Sequence, residues 1–240
     1  MLLLILGGPT AVGKSDLALD LAEHLNAEIL CADSMQVYRL MDIGTAKPTP
    51  DERARIPHHL LDLVYPDQPF SAARYAEEFG RVAAQVYDRG HLPLVVGGTG
   101  LYIRSAVRPL LFPDVGARPE CRSRLAAQAE IVGSAGLHAR LAAVDPKAAG
   151  AIHPNDLRRI IRALEVYETT GRPISAWRDE PRRSSPDYDP IYVCLTRNRD
   201  ELYQRIDLRT DRMIAAGFPG EVRALLDAGY GRNLPSMQGL

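Results

Sequence analysis

"GGPTAVGKS", Gly7–Ser15, closes the first apolar run of the chain, Leu2–Leu6, and opens a stretch with Leu17, Leu21 and Leu25 at four-residue spacing. The order is strand, glycine loop, helix. In that setting the spacing Gly-x-x-x-x-Gly-Lys-Ser, from Gly8 to Ser15, is a phosphate-binding loop. Gly8 and Gly13 leave room for a backbone whose amides converge on an anion, with Pro9, Thr10, Ala11 and Val12 forming the turn between them. The helix that starts near Lys14 adds its positive end, Lys14 adds a full charge, and the Ser15 hydroxyl can hold Mg2+. The loop fixes an anion without fixing the chemistry done on it.

Working outward, Glu28–Ala32 and Leu92–Val96 read as further strands and His59–Val64 as a short one. Ala72–Tyr87 reads as a helix with an apolar face of Tyr75, Phe79, Val82 and Val86. Strands alternating with helices predict an α/β fold: a P-loop NTPase-like core, with a mostly parallel sheet flanked by helices. Ligands of such sheets collect beyond the carboxyl ends of the strands. The phosphate loop, Asp33 and Gly97-Gly98-Thr99-Gly100 all fall at such ends and should share one cleft. A motor ATPase or a GTPase usually ends an apolar strand with a metal-serving aspartate. Here "LPLVVGG", Leu92–Gly98, ends in glycines, which argues against both.

From about residue 104 to residue 190 the strand signals vanish. Two helical stretches stand out, Glu120–Ala143 and Asp156–Thr170, the second closed by Gly171 ahead of Pro173. The loop "RDEPRRSSPDYDP", Arg178–Pro190, follows, then a strand at Ile191–Leu195 and a helix at Glu201–Ala216. This predicts a first part of the core at residues 1–103, a helical insertion at 104–189 and a return to the core at 190–240. Charge is distributed unevenly along the chain: residues 1–100 hold 8 basic against 13 acidic side chains, and residues 104–162 hold 10 against 5. A positive region attracts polyanions, although arginines also decorate solvated helices.

With 240 residues, 46% apolar and 25% charged, the composition is that of an ordinary soluble protein. No apolar run approaches the roughly 20 residues of a membrane helix, and Met1–Leu6 lacks the basic leader of a signal peptide. A cytoplasmic location with no membrane partner is expected, and a monomer. Cys31, Cys121 and Cys194 lie far apart with no paired spacing, which suggests neither disulfide nor zinc. His58-His59 is an adjacent pair, not a metal clip, and Trp177 reads as a packing residue.

The stretch "ADSMQVYRLMDIGTAKP", Ala32–Pro48, places Asp33 where it can face the phosphate cleft, with Ser34 and Gln36 as hydrogen-bonding neighbours. A glutamine amide suits the edge of an adenine, whereas an aspartate in this position can equally cap a turn. Together with the phosphate loop, this stretch closely resembles the tRNA dimethylallyltransferase family, also called tRNA isopentenyltransferases. The resemblance continues through "LVVGGTGLY" (Leu94–Tyr102), "LHARLAAVDPKAAGAIHPNDLRRIIRALEVYETTGRPIS" (Leu137–Ser175) and "ELYQRI" (Glu201–Ile206), and covers nearly the whole chain in order.

The resemblance implies transfer of a dimethylallyl group from dimethylallyl diphosphate to N6 of the adenosine at position 37 of tRNA, next to the anticodon, with diphosphate released. It further implies that Asp33 is the general base, that Thr99 and Lys14 are catalytic, and that Gly8–Ser15 and Arg205 bind diphosphate, with Arg209 a weaker candidate. The tRNA anticodon stem-loop would meet Asp33, Ser34, Met35, Gln36, Arg122, Arg158, Arg159, Ile160, Ile161 and Arg162. Many family members carry a Pro-Gln pair where this chain has Leu157-Arg158. The likeness runs out at "LPSMQGL", Leu234–Leu240, where family members continue with a glycine-tyrosine-lysine segment and basic helices. Two neighbouring readings are a prenyltransferase acting on free adenylate and a small-molecule P-loop kinase; the "DIGTAKP" stretch and the basic insertion favour tRNA.

Overall fold

The computed structural model describes residues 1–107, 118–179 and 188–239. The chain packs as two compact units, residues 1–109 with 184–240, and residues 110–183. The first is built on five strands: β1 (Leu2–Gly7), β2 (Ala27–Cys31), β3 (His58–His59), β4 (Leu92–Gly97) and β5 (Asp189–Cys194). They lie in the order β3-β2-β4-β1-β5, every pair parallel. Register aligns Gly7 with Gly97 and with Cys194, so the carboxyl ends of β1, β4 and β5 finish side by side.

Between β1 and β5 the described residues of this unit form four helices: α1 (Lys14–His24), α2 (Pro50–Arg55), α3 (Ala72–Asp88) and α4 (Gly100–Val107). α1 buries Ala18, Leu19 and Ala22 against Leu6, Ile29 and Leu94. That stripe is rotated from the Leu17, Leu21, Leu25 spacing seen in the sequence, and Leu25 is exposed. The alternate strand residues Ile5, Leu30 and Val95 are equally buried, as expected of a parallel sheet covered on both faces. α3 packs against β2 and β4 through its anticipated face, with Tyr75, Phe79 and Val86 fully buried. At ~1.5–3 kcal/mol for each large apolar side chain, packing and not propensity holds this helix in place.

Two expectations are corrected. The strand anticipated at His59–Val64 shrinks to His58–His59, because Leu60 (φ 64°) and Asp62 (φ 55°) turn the chain in the left-handed region; Val64 rejoins only through an isolated bridge to Tyr38. The break expected after residue 103 falls inside α4, which is anchored to the core by Tyr102 stacked on Tyr75 at 4.2 Å.

The second unit contains α5 (Pro119–Val144), α6 (Pro146–Ala151), α7 (Leu157–Thr170) and α8 (Ile174–Asp179). Gly133 (φ 74°, ψ 166°) breaks α5 in the middle. Leu125, Leu137, Leu141, Ile152, Ile160 and Leu164 form the core of this unit. The Asp156 side chain caps α7 at its start, and Gly171 closes it in the left-handed conformation. Of the expected loop Arg178–Pro190, residues 180–187 lie outside the described residues. The chain then completes the first unit with β5, α9 (Arg199–Ala215) and α10 (Phe218–Asp227). Among the described residues no helix is long and apolar enough to cross a membrane, and the three cysteines are free.

Candidate active site

β1 ends at Gly7, and the phosphate loop carries the chain to α1. Gly13 stands at the head of α1 with φ 106° and no side-chain cap, which leaves the first-turn amides for a ligand. Val12 is buried and anchors the loop, whereas Pro9 and Thr10 are exposed. Lys14 Nζ donates to the carbonyls of Gly8 (2.9 Å) and Pro9 (2.8 Å) and so folds back over the turn. Burial, aided by nearby Arg209, lowers the Lys14 pKa, while Asp33 and Cys194 pull it back up. From the far side Arg205 Nε donates to Ala11 O at 2.7 Å, and Arg197 donates from Nε and Nη2 to Val12 O at 3.3 Å.

Asp33 follows β2 directly. Its Oδ1 accepts from the amides of Met35 (2.8 Å) and Gln36 (3.3 Å), so one carboxylate oxygen holds the turn. Thr99 Oγ1 accepts from the Ser34 amide at 3.0 Å, and Thr99 N donates to Ala32 O at 3.1 Å. These bonds stitch the end of β4 to the residues on either side of Asp33. Gly97 permits this approach: a Cβ there would stand 2.1 Å from Ala32 O. A cavity of about 1190 Å³ opens over these parts, and Lys14, Ser15, Asp33, Gly98, Arg205 and Arg209 are among the residues lining it.

Gln36 also lines the cavity, with Nε2 donating to Thr45 O (3.1 Å) and Ala46 O (3.0 Å). Met35 points elsewhere, toward the backbone at Gly239, where an added Cβ would meet its Sδ at 2.5 Å. The described residues include no cluster of three or more His, Cys, Asp or Glu side chains able to hold a metal. His58 and His59 are engaged by Ile56 O and Glu28, respectively.

In the second unit the expected tRNA contacts separate by environment. Glu165 is fully buried and gathers Arg122 (2.9 and 3.0 Å), Arg162 (2.7 Å) and the Arg118 amide (2.8 Å). Arg162 is thereby paired with Glu165 on its own helix, an ion pair that accounts for its position without a ligand. Ile160 lies in the core, so its side chain is not on the surface; Ile161 is partly buried. Arg159 pairs with Asp156 at 3.3 Å, and Arg158 is exposed. Trp177 is packed under the Arg172 guanidinium at 4.7 Å.

The fold and cleft define a P-loop-type enzyme: an anion-binding turn faces a half-engaged carboxylate at the carboxyl edge of a parallel sheet. The IPP transferase family model matches residues 36–240, and the isopentenyl transferase model matches residues 1–62. The chain is 51% identical over 238 residues to the tRNA dimethylallyltransferase of Roseiflexus sp. (strain RS-1), covering 99% of this chain and 77% of that protein. It is 51% identical over 235 residues to the enzyme of the same name from Geobacter sulfurreducens, covering 98% and 75%. Among solved structures, the tRNA isopentenylpyrophosphate transferase of Bacillus halodurans superposes with a TM-score of 0.67 at 42% identity, over 98% of this chain and 73% of that one. A eukaryotic dimethylallyltransferase acting on tRNA superposes at 0.76 and 31%, over 97% and 57%. The chain belongs to the tRNA dimethylallyltransferase family.

Several residues of the site were not singled out in the sequence. Arg197 braces the phosphate loop from β5's far end. Lys47 is buried, with Nζ on Tyr38 O (2.6 Å), Asp42 (2.7 Å) and Asp62 (2.6 Å). Lys47 falls within the "DIGTAKP" stretch and is one of three lysines in an arginine-rich chain, but neither fact shows that it is buried on two aspartates.

Proposed function

We propose that this protein transfers a dimethylallyl group from dimethylallyl diphosphate to N6 of the adenosine beside the anticodon of tRNA, at position 37. The observation that carries the reading is the Asp33 carboxylate. Oδ1 is fixed by the turn, while the residue lines the same cavity as Lys14 and the phosphate loop.

The new bond forms between N6 and the terminal allylic carbon as the carbon–oxygen bond to diphosphate breaks. The electron pair leaves with diphosphate, and the N6 proton passes to Asp33. Donors already in place around the developing negative charge supply most of the rate enhancement in such a site: the first-turn amides of α1, Lys14 and Arg205. Thr99 fixes the backbone on both sides of Asp33 and so orients the base. A base of this kind contributes about 10²- to 10⁴-fold. The adenine must leave its stack to reach the cleft, at a cost of a few kcal/mol that contacts to the RNA backbone offset. Arg158, exposed on α7, is suited to such a contact.

Ser15 lines the cavity next to Lys14, and a lone hydroxyl with no acidic cluster among the described residues suits Mg2+, which commonly takes few protein ligands and completes its shell with substrate phosphates and water. Ser15 would hold it, and it would supply further charge neutralisation on the diphosphate.

The test is label transfer. Purified protein is incubated with labelled dimethylallyl diphosphate, Mg2+ and unmodified tRNA or AMP, and separately with ATP and small alcohols. Label in tRNA alone is the expected result. Label in AMP would move the protein to the free-nucleotide enzymes, and ATP-dependent phosphorylation of an alcohol would make it a kinase.

A further inference from the structure

Residues 42–47, within the "DIGTAKP" stretch, are held in place from three directions. Glu221, in the first turn of α10, accepts from three consecutive backbone amides: Oε2 from Asp42 (2.7 Å) and Ile43 (2.7 Å), and Oε1 from Gly44 (3.0 Å). Successive amides converging on one carboxylate form an anion nest, and bonds to an ionised acceptor are about twice as strong as neutral ones. The next two residues, Thr45 and Ala46, offer their carbonyls to Gln36 Nε2. The segment ends at buried Lys47, whose ammonium ties Tyr38 O to Asp42 and Asp62. Ala46 sits at φ 48°, a conformation that an alanine keeps only when its surroundings enforce it.

This arrangement has a chemical consequence at the cavity. With Nε2 engaged by two carbonyls, the group that Gln36 can still offer a ligand is Oε1, a hydrogen-bond acceptor whose direction the 42–47 segment sets. The Gln36 backbone N–H in turn donates to Asp33 Oδ1. An adenine amine has two N6 hydrogens. One goes to the base as the bond forms; the other stays on nitrogen, and an acceptor beside Asp33 can receive a hydrogen bond from it and so hold the nitrogen lone pair on the allylic carbon.

We infer that Glu221 is a positioning residue for the acceptor: by clamping the amides of 42–44 it fixes the segment that aims Gln36 at the adenine amine. The inference rests on the transferase reading above. Glu221 belongs to α10, far in sequence from both Asp33 and the phosphate loop, and its partners lie on the segment framing the acceptor and not on the diphosphate cradle. Its loss should therefore separate the two substrates kinetically.

The experiment measures KM for unmodified tRNA and for dimethylallyl diphosphate, with kcat, in wild-type protein, Glu221→Ala, Glu221→Gln, Gln36→Ala and the double variant Glu221→Ala/Gln36→Ala. Glu221→Ala is expected to raise the tRNA KM about tenfold or more while moving the diphosphate KM by less than about twofold. Glu221→Gln, which keeps one acceptor oxygen, should recover part of the loss. The double variant should lose little beyond the worse single variant, since both side chains act through one segment. Hydrogen exchange should show protection lost at the amides of Asp42, Ile43 and Gly44 in Glu221→Ala. An unchanged tRNA KM, an equal rise in both KM values, additive losses, or failure of both Glu221 variants to fold would overturn the positioning role. Wild-type protein that transfers no label to tRNA would overturn the transferase reading itself, and the role with it.

Discussion

At the scale of single residues, the site works by dividing duties within one functional group. Asp33 uses Oδ1 to hold the turn made by Met35 and Gln36, so the capping role and the catalytic role read from the sequence are compatible. Lys14 is likewise held before any substrate arrives, by the carbonyls of Gly8 and Pro9. In the proposed reaction, diphosphate would replace those neutral carbonyls with charged oxygens. Lys14→Met should weaken dimethylallyl diphosphate binding by about 10- to 100-fold, the worth of a charge-assisted hydrogen bond, and leave tRNA affinity within about twofold. Titration calorimetry with each substrate separately checks this; equal losses for both would mean that the loop had collapsed. That the phosphate loop and Asp33 share one cavity was legible because both follow apolar strands of a parallel sheet. The Glu221 clamp was not, because its partners stand 177 or more residues away and a glutamate in a first helical turn has an ordinary explanation in the helix dipole.

At the scale of elements, the juxtaposition of β2 and β4 matters most. Gly97 has no room for a side chain against Ala32 O, so Gly97→Ala must push apart the ends of the strands that carry Asp33 and Thr99. It should cost about 1–3 kcal/mol in denaturant unfolding, typical of overpacking, and lower turnover as well. Full stability with normal turnover would show that the contact is relieved elsewhere. In the second unit, Glu165 is the organising charge. Burial pushes its carboxyl upward, but hydrogen bonds from Arg122, the Arg118 amide and Arg162 outweigh that and hold its pKa below the usual 4.5. A group depressed in the folded state contributes stability above its unfolded pKa and loses it as acid protonates the folded form. Wild-type protein should therefore lose stability below about pH 4.5 more steeply than Glu165→Gln, which starts about 2–3 kcal/mol less stable at pH 7 because its guanidinium partners are only partly buried. Thermal melts at several pH values read both terms, and parallel slopes would remove Glu165 from the acid response. Long elements were legible from periodicity. The six-residue helices α2, α6 and α8 were not, since one and a half turns give no period to read, and the strand at His59–Val64 failed on two left-handed residues whose side chains carry no such signal.

At the scale of the whole molecule, the sequence order of the parts matches a division of labour between two units. The first carries the phosphate loop, Asp33 and the 42–47 segment, and the second gathers arginines on buried Glu165 and partly buried Glu168. Glu165 pairs with Arg122 and Arg162, and Glu168 with Arg124 and Arg140, while Arg158 stays exposed. The chain spans about three-quarters of the length of the relatives it matches. The central claim concerns the Asp33 carboxylate, which lines the same cavity as the phosphate loop. It is tested most directly by single-turnover transfer from labelled dimethylallyl diphosphate to unmodified tRNA, with wild-type protein and Asp33→Asn compared and diphosphate affinity measured on the same samples. Asparagine keeps an oxygen for the Met35 amide but cannot take the N6 proton. The expected result is transfer about 10²- to 10⁴-fold slower with diphosphate affinity within about twofold; equal rates in the two proteins would contradict the account.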